Sequence, residues 1–169
     1  ERIYVISPYG KHSLKRIGVY LTLGEVVSSP FVGDVDNDGA LEILIGSSDK
    51  TFYCLSFQEI GREEEKKFVD GKWVTDWIII RTKIGKEWSY KTSGEIVSSP
   101  AVGDLDGNGN LEIVIGSKDK NLYLFDSQGK RLLKYTLNDK IVSSPTLADF
   151  NGDGKLEIVI ASIDGRIYI

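Results

Sequence analysis

The chain has no methionine, one cysteine and one histidine in 169 residues. A lone cysteine, Cys54, excludes an intrachain disulfide. It sits in the apolar run TFYCLSF (51–57) and reads as a packing thiol, not a nucleophile. His12, the only histidine, falls in a polar turn over Ser7–Ser13 and reads as a surface residue. One imidazole and one thiol leave little for acid–base or triad chemistry built on them. No apolar run approaches the length of a membrane span. No secretory leader is visible, but the chain opens on Glu1 without a methionine. It therefore reads as a segment of something larger, with a leader or further N-terminal sequence removed. A basic excess is lacking too. The net charge is −4, which argues against nucleic acid or an anionic membrane as partner.

What is present is a core and a repeat. Apolar residues make up 41% and charged residues 27%, the balance of an ordinary globular domain of one domain's length. Three stretches match along their length: VGDVDNDGALEILIGS (32–47), VGDLDGNGNLEIVIGS (102–117) and LADFNGDGKLEIVIAS (147–162). Each follows a Val-Ser-Ser-Pro, at Val27–Pro30, Val97–Pro100 and Val142–Pro145. A repeat of this quality decides architecture before local propensity does.

Each stretch is an acidic, glycine-punctuated loop running into a β-branched strand. Counted from the first aspartate, position 1 is Asp34, Asp104 or Asp149, and position 3 is Asp36, Asp106 or Asn151. Position 5 is Asp38, Asn108 or Asp153, and position 9 is Glu42, Glu112 or Glu157. Alternate residues of a tightly curled loop can point oxygens inward, and a hard cation such as calcium takes six to eight of them. Position 7 (Ala40, Asn110, Lys155) varies in side chain, as expected where only the carbonyl binds. Positions 4 and 6 are Asn37 and Gly39, Gly107 and Gly109, Gly152 and Gly154, types that tolerate positive φ. Position 8 is always leucine (Leu41, Leu111, Leu156), suited to anchoring the loop on the core. An EF-hand differs: it closes on a glutamate at position 12 between helices, whereas here position 12 is isoleucine and a strand follows. A plain Asp/Gly turn between strands is the competing reading of any one copy. Three copies with oxygen donors at 1, 3, 5 and 9 favour metal. These loops hold ten of the 25 acidic residues and account for the acidic balance.

Alternation and turn residues give four short strands per unit. In the middle unit they are Ile96–Leu105, Glu112–Gly116, Asn121–Phe125 and Leu132–Leu137, with a turn at Ser127–Lys130. Asp104 to Asp149 is 45 residues, and four antiparallel strands at that period describe a propeller blade. Ile3-Tyr4-Val5, Phe52-Tyr53-Cys54, Leu122-Tyr123-Leu124 and Ile167-Tyr168-Ile169 place a tyrosine at one constant point of the third strand, where core packing is expected.

The three loop–strand stretches are similar to FG-GAP repeats of the integrin α-subunit N-terminal type, also called VCBS-type repeats. The resemblance covers most of the chain outside 58–88 and implies calcium-binding β-propeller blades. It implies metal at Asp34, Asp36, Asp38 and Glu42, at Asp104, Asp106, Asn108 and Glu112, and at Asp149, Asn151, Asp153 and Glu157. Asparagine at position 5 of the second loop and position 3 of the third removes a charge from each, so those sites are expected to be weaker. The stretch NLYLFDSQGKRLLKYTL also resembles, in strand pattern only, blades of quinone-dependent dehydrogenases.

The expected fold is all-β: about three blades of four antiparallel strands in one segment, an incomplete propeller cut from a larger ring. Residues 1–25 end a preceding blade, 26–94 form an extended blade, 95–140 a regular one and 141–169 a partial one. That gives thirteen strands, fewer than the sixteen or so of the smallest propellers. Exposed blade ends would be open to self-association. Asp34 to Asp104 is 70 residues, so about 25 extra fall near 58–86. There Asp70-Gly71 marks a hairpin. Trp73 and Trp77 lie within it and Trp88 just after it. These aromatics either pack on their own blade or form a protruding contact surface.

The function expected is a non-catalytic binding or adhesion scaffold. Structural Ca2+ would sit in three sites, with a protein or carbohydrate as ligand. Its place would be extracellular, cell-surface or periplasmic, where calcium is abundant enough for weak sites. The alternative is part of a propeller enzyme, a polysaccharide lyase or quinone-dependent dehydrogenase. Against it stand the absence of a His, Lys and Arg cluster and the placing of all three tryptophans in or beside one insertion.

Overall fold

The computed structural model describes residues 2–7 and 15–169, and no helix occurs among them. The turn read over Ser7–Ser13, with His12, lies outside the described residues except for Ser7. Among the described residues thirteen strands form four sheets, each a simple antiparallel meander. The first pairs β1 (Arg2–Ser7) with β2 (Lys15–Leu21). The second runs β3 (Phe31–Gly33), β4 (Glu42–Gly46), β5 (Thr51–Val69) and β6 (Lys72–Lys91). The third runs β7 (Ala101–Gly103), β8 (Glu112–Gly116), β9 (Asn121–Asp126) and β10 (Arg131–Thr136). The fourth has β11 (Thr146–Ala148), β12 (Glu157–Ala161) and β13 (Ile167–Tyr168). The chain is thus all-β, and its sheets have the strand order of propeller blades.

The sheets stack face to face, and three apolar clusters lie between them. Ile43, Ile45, Tyr53 and Leu55 of the second sheet pack with Tyr20 and Val26. Its other face, Leu44, Phe52 and Cys54, meets Ile113, Ile115, Tyr123 and Phe125 of the third. The third sheet's far face, Val114, Leu122 and Leu124, meets Ile158, Ile160 and Tyr168 of the fourth. β4 and β8 are buried at every position because both their faces are covered, which is why they read as continuous apolar runs. Gly46 and Gly116 end these strands where Ile96 and Ile141 of the following sheet press onto the backbone, leaving no room for a Cβ.

The first strands are shorter than the sequence pattern suggests. Only Ala101–Gly103 of the expected Ile96–Leu105 pairs as a strand. The preceding serine takes the place of the ladder. Ser98 Oγ accepts the Gly116 N–H at 3.1 Å and donates to the Gly116 carbonyl at 2.8 Å. Ser28 does the same at Gly46, and Ser143 at Ala161. Proline two residues on has no N–H to give a ladder. The second serine joins sheet to sheet: Ser29 N–H donates to Ser99 Oγ, and Ser99 N–H to Ser144 Oγ, each at 2.9 Å.

The insertion is an extension of β5 and β6, paired from Thr51–Lys91 to Val69–Lys72. Asp70 (φ 50°) and Gly71 (φ 76°) make the expected two-residue turn. Phe68 and Trp73 stand exposed at the tip, edge to face at 5.1 Å. Trp88 belongs to the core instead, its ring beside Phe52 and Phe125 and its indole N–H donating to the Ser127 carbonyl at 3.1 Å.

Candidate metal centres

Each acidic loop joins the first and second strands of a sheet. Positive φ at Asn37, Gly39, Gly107, Gly109, Gly152 and Gly154 curls it, all six at the positions singled out by the sequence. The first aspartate then gathers backbone N–H groups. Asp34 accepts from Asp38 at 3.1 Å and Gly39 at 3.0 Å. Asp104 accepts from Gly107, Asn108 and Gly109, and Asp149 from Gly152, Asp153 and Gly154. The N–H groups of Gly154, Gly152 and Asp153 hold the Asp149 carboxyl below its ordinary range.

The closing glutamate lies on the second strand and reaches back. Glu42 Oε2 accepts the Val35 N–H at 2.9 Å, Glu112 Oε2 that of Leu105 at 2.8 Å, and Glu157 Oε2 that of Phe150 at 2.9 Å. Glu42 is only 1% exposed. Burial pushes its carboxyl above the ordinary range, the Val35 hydrogen bond opposes this, and Asp36, Glu87 and Asp38 add to the rise.

Asp34, Asp36 and Glu42 bring one carboxylate oxygen each to within 4.8 Å of one another, and Asp104, Asp106 and Glu112 do likewise. Each donor set is all oxygen and, with its three carboxylates ionised, triply anionic, which fits a hard divalent cation. In the third loop Asn151 donates from Nδ2 to Asp153 Oδ2 at 3.1 Å and to Glu157 Oε1 at 3.3 Å, so positions 3, 5 and 9 meet there through an amide. Position 5 has a second task. Asp38, Asn108 and Asp153 accept, through Oδ1, the N–H of Ala40, Asn110 and Lys155 at 2.7–2.9 Å. The leucines at position 8 differ from one another: Leu156 packs toward Gly103, but Leu41 is more than half exposed.

Two features escaped the sequence reading. Gln128, on the β9–β10 turn, donates from Nε2 to Asp36 Oδ2 at 3.4 Å. They are 92 residues apart, and no local pattern links them. That turn and loop two flank a cleft of about 410 Å³ lined by Asp106, Asn108, Asn110 and Gln128. The second is a repeat of carboxylates, half-buried at Asp49 and Asp119 and exposed at Asp164. Asp49 and Asp119 each accept a tyrosine hydroxyl (Tyr53, Tyr123) at 2.7 Å, and Asp164 accepts Tyr168 at 3.4 Å. Tyr53, Tyr123 and Tyr168 are therefore polar locks as well as packing residues. The Asp-x-x-x-Tyr spacing carried this signal in the sequence.

Residues 104–160 match the FG-GAP-like repeat family. No curated protein matches the chain. Among solved structures, the crystal structure of BamB from Moraxella catarrhalis aligns at 16% identity and a TM-score of 0.39, over 99% of this chain and 58% of that one. The chain thus spans little more than half the length of that structure.

Proposed function

We propose that the chain is a calcium-stapled propeller module that serves as a non-catalytic binding scaffold outside the cytoplasm. The observation that carries this reading is the convergence of three carboxylate oxygens within 4.8 Å in each of two equivalent loops. In the third loop Asn151 stands 3.3 Å from Glu157, in the place of the second carboxylate. Asp34, Asp36, Asp38 and Glu42, with the Ala40 carbonyl, would hold the first ion. The second and third sets are Asp104, Asp106, Asn108, Asn110 and Glu112, and Asp149, Asn151, Asp153, Lys155 and Glu157. The metal would supply charge compensation and loop order. The exposed Phe68–Trp73 tip offers contact area for a protein or carbohydrate ligand. Weak sites suit compartments rich in calcium.

Thermal unfolding in calcium and in excess EGTA tests the metal, with a higher midpoint in calcium expected. Equal midpoints would overturn it. Arrayed glycans and secreted proteins test the scaffold role: retention without turnover supports it, and product released from a polymer refutes it.

A further inference from the structure

The outer strands of the second and third sheets carry a bulge at the same point, but with different residues. In β5–β6, Cys54 pairs with Trp88 and Leu55 with Lys86, so Glu87 is the extra residue. In β9–β10, Leu124 pairs with Leu133 and Phe125 with Arg131, so Leu132 is the extra residue. Cys54 and Leu124 each stand 20 residues after the first aspartate of their loop, which makes Glu87 and Leu132 equivalents. A bulge re-aims one side chain. In the third sheet that side chain faces its own acidic loop: Leu132 lines the cleft of about 410 Å³ together with Asp106, Asn108 and Glu112.

In the second sheet the same place holds a carboxylate. Glu87 Oε2 accepts the Cys54 S–H, 3.7 Å from the sulfur. Cys54 is fully buried and packs in one cluster with Val35, which lies between Asp34 and Asp36 of loop one. The thiol therefore ties an exposed carboxylate to a rigid point beside the loop. Burial pushes the Cys54 pKa up, and the charges of Glu87, Glu42 and Asp36 push it further, so the sulfur keeps its proton and remains a donor. Burial is also what chiefly lifts the Glu42 carboxyl. Among the charges that add to the rise, Glu87 ranks between Asp36 and Asp38, residues of the loop itself. Glu87 is not one of the three side chains whose oxygens meet within 4.8 Å at loop one, so it is an outer carboxylate and not a member of that set.

We infer that Glu87 is a charge-tuning residue for the loop-one cation site, which makes that site fill before the one in loop two. This rests on the calcium reading above. The affinity of an oxygen-lined loop follows the charge gathered around the ion and the rigidity of the site. Loop one holds four carboxylates and loop two three. Glu87 adds a fifth to loop one, held in place by Cys54, where Leu132 adds only apolar surface to loop two. Because Glu87 is exposed and outside the converging set, it acts through space, and salt screens its action.

Calorimetric titration with calcium tests this on the full chain carrying Asp106→Ala and Asn151→Ala, which leaves loop one as the site read out. At low salt, Glu87→Gln should weaken that site about fivefold, the scale of an exposed charge contact. The difference should close as sodium chloride is raised. The reciprocal change, Leu132→Glu in a chain carrying Asp36→Ala and Asn151→Ala, should tighten loop two by a similar factor. In EGTA, Glu87→Gln should not lower the thermal midpoint, because it removes a repelling charge. Equal low-salt affinities with and without Glu87→Gln, calcium still being bound, overturn the inference and leave the metal reading intact. A weakening that persists undiminished in high salt also overturns it, because Glu87 would then be a direct ligand. A lower midpoint in EGTA with unchanged calcium affinity overturns it in favour of a structural role. Failure of the unaltered chain to take up calcium overturns the metal reading and the inference together.

Discussion

Asp119 shows how one side chain ties three segments. Its carboxylate accepts the Tyr123 hydroxyl at 2.7 Å, the Ser93 N–H at 2.9 Å and the Asn121 N–H at 3.1 Å. Burial pushes its pKa up, but these hydrogen bonds outweigh burial and hold it below the ordinary 3.8. Tyr123 is pushed up in turn, first by burial and then by the carboxylate. A depressed folded-state pKa contributes stability above the unfolded value that is lost as pH falls through the folded one. Asp119→Asn is therefore expected to cost about 1 kcal/mol at neutral pH, discounted for partial exposure. Its deficit relative to wild type should shrink as pH drops below 3.8. Urea unfolding of both proteins at neutral and acid pH measures this, and a deficit independent of pH would refute it. The loop ligands yield a second residue-scale prediction. Asp36→Ala removes one of the three carboxylates that converge in loop one, so calorimetric titration should show one calcium ion fewer per chain than wild type. Unchanged stoichiometry would remove Asp36 from the ligand set. Asp36 and its kind were legible because alternate acids between glycines form a local pattern. Ser28, Ser98 and Ser143 were not, since a hydroxyl that substitutes for a ladder bond depends on a strand end 18 residues away.

At the scale of elements, the long β5–β6 ribbon divides into two parts. Near the sheet its residues join the core, with Ile84 4% exposed beside Ile43, Ile45 and Tyr53. Ile84, near the end of the insertion read over 58–86, packs in the blade's own apolar cluster. At the tip Phe68 and Trp73 pack on each other and stand exposed. Replacing residues 62–80 by Asn-Gly, between the paired Gly61 and Arg81, should leave cooperative unfolding and the thermal midpoint unchanged. Loss of cooperative unfolding would make the distal ribbon structural. Trp88→Ala should behave oppositely and cost about 3 kcal/mol, since it strips a ring from the Phe52–Phe125 contact and orphans the Ser127 carbonyl. The hairpin, its Asp-Gly turn and the second, third and fourth strands were readable from alternation and turn chemistry. Which tryptophan faces the core was not, because Trp73 and Trp88 lie in similar strand contexts and only the neighbouring sheet separates them. Leu41 and Leu156 make the same point: identical loop positions differ in burial according to the sheet beside them.

For the whole molecule, stacking and charge act together. Each sheet touches mainly its neighbours, so stability is close to a sum of sheet and interface terms. The three loops recur at the same point of successive sheets, each between a first and a second strand, and they carry ten carboxylates. Without cations these repel one another, and the repulsion grows as ionic strength falls. Three divalent ions would add six positive charges, which leaves the ten loop carboxylates still net negative and takes the chain's net charge from −4 to +2. Each filled site also adds about 2.7 kcal/mol when calcium stands a hundredfold above its dissociation constant. Two unfolding series follow. In EGTA the midpoint should climb as sodium chloride is raised, because screening relieves repulsion inside the loops. In saturating calcium the same salt series should be nearly flat or fall slightly, because the carboxylates are already compensated and salt now screens an attraction. Differential scanning calorimetry across both series gives the two slopes. Equal slopes with and without calcium would mean that the loops are not where the native state stores its electrostatic cost, and the Asp/Gly turn reading of them would stand.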